Sequence, residues 1–235
     1  MRSPLLIEGL ATFFLCLGCA LAQGPLAPFT VGALLLALIY VGGPVSRAHY
    51  NPAVTLAFCL RGRHSWSAGL AYAAVQLLAA VVAGLVLGLM HGHNEESSQH
   101  ILEALKGPMM EGWFGGLFVE VLGTFLLGFV ILTVATSRRA AGNGYYGLAI
   151  AAVVAALMGM FGGYFPDFNP AVTVAKSLEG VCSALNPEGD LAPAFGQELA
   201  YLAHATPRLV LGVVGQFAGA ALAAWAFLGT FPEER

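Results

Sequence analysis

Two tripeptides carry the most chemistry in this chain: Asn51-Pro52-Ala53 and Asn169-Pro170-Ala171, each continuing as NPAVT. Asparagine is a favoured helix N-cap, and proline suits the next position, where its missing N–H leaves no donor unsatisfied. Each motif therefore opens a short helix, Asn51 to about Leu60 and Asn169 to about Glu179. The amide oxygen caps that helix, and the NH₂ is left to donate to a small polar molecule. Two such donors facing one point satisfy both lone pairs of a passing water. Two positive helix ends at the same point repel cations and hydronium. This is the chemistry of passage, not of bond-making.

Glu8 and Glu120 occupy matching contexts, EGLATFFL at 8–15 and EVLGTFLL at 120–127. A carboxylate inside an apolar run marks a functional position. Neither has a base or metal partner nearby in the sequence, so support of a loop is expected over proton transfer. His49, two residues before the first motif, titrates near neutral pH in isolation, which would suit a gate. A structural histidine whose carbonyl lines the path is the preferred reading. Lys176 is expected to snorkel to the interface or face a neighbouring subunit. His91, His93 and His100, with Glu95 and Glu96, have no metal-ligand spacing and read as an acidic loop. Cys16-x-x-Cys19 lies in an apolar run without a second pair, as packing residues do. No G-x-S-x-G and no paired nucleophile and base are evident. The chain is expected to be no enzyme and to need no cofactor or metal.

The elements that position these residues follow from composition. Of 235 residues 58% are hydrophobic and 10% charged, and the mean hydropathy is +0.77. Soluble domains carry about 25% charged residues. Six apolar segments are visible: about Pro4–Gln23, Phe29–Pro44, Trp66–His91, Gly112–Ser137, Gly144–Tyr164 and Pro207–Thr230. Lengths near 20 residues suit a hydrocarbon core of ~30 Å. The first contains Glu8 and is preceded only by Arg2, which fits a retained span better than a cleaved leader. A net charge of -3 points away from a nucleic-acid partner. Arg2, Arg47, Arg61, Arg63, Arg138 and Arg139 fall in the N-terminal stub and the second and fourth connections, while the third holds Glu95, Glu96, Glu103 and Glu111. The positive-inside rule then puts both termini in the cytoplasm.

The chain also repeats itself. Glu8 matches Glu120, NPAVTLA at 51–57 matches NPAVTVA at 169–175, and Gln76 matches Gln216, at offsets of 112, 118 and 140 residues. Each half holds three spans, so the second enters the membrane from the opposite face and the repeat is inverted. A ten-residue helix rises ~15 Å, half the core, so the two short helices must meet midway. Their lead-ins, 46–50 and 163–168, expose backbone at that depth, which is tolerated only beside protein or a wet cavity. The expected fold is an all-α membrane protein, one domain over 1–235. Its six transmembrane helices and two re-entrant half-helices form inverted repeats of about 4–91 and 112–230.

These features resemble the aquaporin (major intrinsic protein) family, through E-x-x-x-T-F at Glu8–Phe13 and Glu120–Phe125, HYNPAVT at 49–55, and the glutamines opening the third span of each half. The resemblance implies a homotetramer in the lipid bilayer, with one pore per subunit for water or small neutral solutes. It also implies that Glu8 and Glu120 buttress the re-entrant loops. The cell (inner) membrane is the expected location. Family members usually carry arginine directly after the second motif; here that residue is Val172. Ungapped counting puts Val31, Leu157, Pro166 and Val172 at the constriction, all apolar. In lacking the arginine the chain resembles unorthodox branches such as the plant small basic intrinsic proteins. Asn186–Arg208 is too polar to span and is expected to form an external flap. The competing reading is a non-conducting structural or junctional protein of the same fold.

Overall fold

Ser3 begins the first helix, accepting the Leu6 N–H at 3.4 Å, with Pro4 at the first helical position. The computed structural model describes residues 3–91, 109–162, 166–184 and 195–234. Among these the chain forms eight α-helices and no strand: α1 (Pro4–Leu21), α2 (Ala27–Ser46), α3 (Pro52–Leu60), α4 (Trp66–His91), α5 (Met109–Thr136), α6 (Tyr146–Phe161), α7 (Pro170–Ala184) and α8 (Phe195–Thr230). Four helices, α1, α2, α4 and α5, together with Leu209–Thr230 of α8, are long and apolar enough to cross a bilayer. The 16-residue α6 is apolar but shorter.

Large side chains such as Leu6, Phe29, Leu70, Phe118 and Trp225 point outward, while the fully buried set is rich in alanine and includes Glu8, Thr12, Gln76, Thr124 and Gln216. A protein whose solvent is lipid has this distribution, because lipid tails and leucine attract equally and only small or polar residues bring helices together. The first half packs α1 against α2 and α4; the second packs α5 against α6 and α8. The short helices cross over: α7 lies on α4, and α3 lies on α8. Glycine permits the first crossing. A Cβ at Gly84 would fall 2.7 Å from the Ala175 carbonyl oxygen, and one at Gly88 2.4 Å from the Cys182 Cβ. Gly219 of α8 serves the same purpose, lying against the Val121 carbonyl of α5, whereas Gly116 and Gly159 face open space.

One expectation changes. The last helix begins at Phe195, so Phe195–Arg208 continues the final span as helix instead of folding as a separate flap. The rest of that segment, and His93, His100, Glu95 and Glu96, lie outside the described residues. At the arginine-rich end, Glu234 is 1% exposed. It accepts from Arg61 at 2.8 Å, the Ser137 hydroxyl at 3.1 Å and the Arg138 N–H at 2.6 Å, tying the end of α3 to the α5–α6 turn.

Candidate functional site: two crossed asparagines in an apolar passage

Each asparagine caps its own helix. Asn51 Oδ1 accepts from Ala53 N at 2.8 Å and Val54 N at 3.4 Å; Asn169 Oδ1 accepts from Ala171 N at 3.0 Å. Each amide nitrogen then reaches across to the other half. Asn51 Nδ2 donates to the Phe168 carbonyl at 2.9 Å, and Asn169 Nδ2 to the Tyr50 carbonyl at 3.0 Å. One N–H of each NH₂ is thereby used, and one remains.

The lead-in loops are held by the two carboxylates. Glu8 accepts from Ser46 Oγ at 2.6 Å and His49 N at 3.0 Å on one oxygen, and from Tyr50 N and Gln76 Nε2, both at 2.8 Å, on the other. Glu120 accepts from Asp167 N and Phe168 N, both at 2.9 Å. The glutamines complete the correspondence: Gln76 Nε2 donates to Thr55 Oγ1 at 3.2 Å, and Gln216 Nε2 to Thr173 Oγ1 at 2.9 Å. Tyr50 and Phe168 adopt φ of 51° and 53°, a left-handed conformation that costs a bulky residue ~1–3 kcal/mol. Hydrogen bonds from both their N–H and C=O groups hold them there. His49 sits within the same network, its Nδ1 3.1 Å from Thr55 Oγ1 and its ring against Phe58 and Tyr72.

A cavity of about 580 Å³ passes both asparagines, from Arg47, Arg63 and Arg138 at one end to Asp167 and Lys176 at the other. Its walls are helical stripes of every fourth residue: Val31, Leu35 and Ile39 from α2, and Ile150, Val154 and Met158 from α6. Val31, Pro166, Val172 and His49 line it. Leu157 is not among its lining residues, whereas Met158, the next residue of α6, is. The physical reason is that one residue turns a helix by about 100°, so an ungapped count in error by one selects the wrong face. Lys176 is turned inward, lining the cavity and pairing with Asp167. Its spacing of four from Val172 signals the shared helix face, but not the pairing. Cys19, four residues after Leu15, is likewise on the wall.

The family model described as major intrinsic protein matches residues 10–227. The chain belongs to that family. It is 34% identical over 233 residues to aquaporin NIP1-4 of Oryza sativa subsp. japonica, covering 95% of this chain and 75% of the relative. Aquaporin NIP1-1 of Zea mays is 33% identical over 196 residues, 83% of this chain and 59% of the relative. The glycerol uptake facilitator protein of Streptococcus pneumoniae is 29% identical over 167 residues, 69% of this chain and 63% of the relative. Among solved structures, the aquaglyceroporin from Plasmodium falciparum superposes with a TM-score of 0.64 at 17% identity, over 95% of this chain and 93% of that one. This likeness shows a shared fold. These family relatives carry NIP and glycerol-facilitator names; the likeness to small basic intrinsic proteins rests on one absent arginine.

Proposed function

We propose that the chain is a passive transmembrane channel for water and small uncharged solutes, and that it excludes ions. The observation that carries this is the crossed pair of asparagine amides, each offering its remaining N–H beside a continuous cavity. A solute entering from either end meets apolar walls, where an unsatisfied polar group costs roughly 1–3 kcal/mol. At the junction it finds two donors and two positive helix ends, which favour a neutral acceptor and oppose a cation. Strongly hydrated ions lose more on the walls than they regain there.

Val31, Met158, Pro166 and Val172 form the constriction in this reading, and Glu8 and Glu120 keep the loops from collapsing into it. The assembly is a homotetramer in a cell (inner) membrane, with the arginine-rich end and both termini in the cytoplasm, as the charge asymmetry supports. Stopped-flow light scattering of reconstituted liposomes with water, glycerol, urea and ammonia tests the function. Flux above empty liposomes for at least one solute is expected. Absence of flux for all four would establish the non-conducting alternative.

A further inference from the structure

We infer that the Lys176–Asp167 ion pair is the polar element of this channel's filter, standing one helical turn beyond the position that Val172 leaves apolar. The inference rests on the channel reading above and names the residues that would set its specificity. Lys176 Nζ lies 2.8 Å from Asp167 Oδ1, and both residues line the cavity. Val172 and Lys176 are four residues apart on α7, hence on one face and ~6 Å apart along the axis. Between the asparagines and this pair the lining residues Leu15, Val31, Met158, Pro166 and Val172 are all apolar. Among the described residues, a polar solute entering from this end meets its first fixed side-chain charges at the pair.

Both partners are held in place by the scaffold already described. Asp167 N donates to Glu120 at 2.9 Å and Phe168 N to the same carboxylate, so the Asp167 backbone moves only with that buried group. Lys176 is carried by α7, whose first residue is fixed through Asn169 to the opposite loop. The Asp167 side chain is 11% exposed and that of Lys176 35%, so the ammonium is the more exposed partner.

The pair differs chemically from a lone arginine. It presents donor and acceptor side by side, which suits a hydroxyl- or amide-bearing solute able to donate and accept at once. Exclusion depends on the balance between the two charges. Removing the ammonium makes the mouth more negative and favours cations; removing the carboxylate makes it more positive and favours anions.

The test uses the full chain in liposomes, with Lys176→Met, Asp167→Asn, the double variant and Lys176→Arg. Water, glycerol, potassium and nitrate fluxes are measured on samples matched for folding by circular dichroism and size exclusion. Lys176→Met should raise potassium leak by about tenfold, the scale of one uncompensated charge at a partly wet site, and lower the ratio of glycerol to water flux. Asp167→Asn should raise nitrate leak instead. The double variant should return both leaks toward the parent, and Lys176→Arg should keep potassium out. A conducting parent whose two single variants retain its ion leaks and its solute ratio overturns this inference alone. A parent without any solute flux overturns the channel reading and the inference together. Should Lys176→Met not fold, the nitrate leak of Asp167→Asn decides the matter by itself.

Discussion

Asn51 Nδ2 lies 2.9 Å from the carbonyl oxygen of Phe168, a residue 117 positions later that precedes the other asparagine. Asn51→Ala removes a cap worth ~1 kcal/mol and leaves the buried Phe168 carbonyl without its donor, a further ~1–3 kcal/mol. Asn169→Ala does the same to Tyr50. Each variant is expected to unfold at lower temperature in detergent, to carry less solute and to exclude potassium less well. Variants with parental flux and exclusion would reduce these asparagines to structural caps.

Leu157 and Met158 separate core from wall. Leu157→Ala should destabilise by ~2–5 kcal/mol, as large core truncations do, with little change in the ratio of glycerol to water flux. Met158→Ala should change that ratio at a smaller stability cost. Thermal unfolding and stopped-flow scattering on the same two samples read both quantities, and a reversed pattern would restore Leu157 to the constriction.

Val172→Arg adds bulk and a planar donor fork beside the junction. The ratio of glycerol to water permeability should fall. An unchanged or rising ratio, in a variant still folded and assembled, would mean that position 172 does not line the narrowest part.

Topology is open to direct chemistry. Gln23 and Ala141 are exposed in turns after α1 and α5. With Cys16, Cys19, Cys59 and Cys182 replaced, single cysteines at 23 and 141 should react with an impermeant maleimide from opposite faces, 23 from outside and 141 from the cytoplasm. Reaction from the same face would contradict the inverted arrangement.

Glu234 links pH to stability. Burial pushes its carboxyl up, but the Arg138 N–H, the Ser137 hydroxyl and the Arg61 charge outweigh that and hold it below the ordinary 4.5. A depressed carboxylate stabilises the fold fully above 4.5 and loses that contribution as pH falls through its folded-state value. Glu234→Gln should therefore lower the unfolding temperature at pH 7, and the difference from the parent should shrink in acid. A constant difference from pH 7 to below 4 would show that its charge is not what ties the C-terminus to Arg61.

The sequence by itself determined the membrane class, the apolar segments, the repeated pattern and the residues of the crossing. Each depends on local rules: apolar length against bilayer thickness, Asn-Pro as a helix start, and a pattern found twice. The correspondence extends to single bonds, Glu8 to Tyr50 N and Glu120 to Phe168 N. Only the tertiary structure decided which face of each helix meets the cavity. Met158 replaces Leu157 on the wall because a helix apolar on every side carries no stripe to mark its inner face. Lys176 pairs inward because Asp167, nine residues earlier on an irregular loop, is brought beside it by Glu120 and Asn169, contacts between residues distant in the chain that no local pattern encodes.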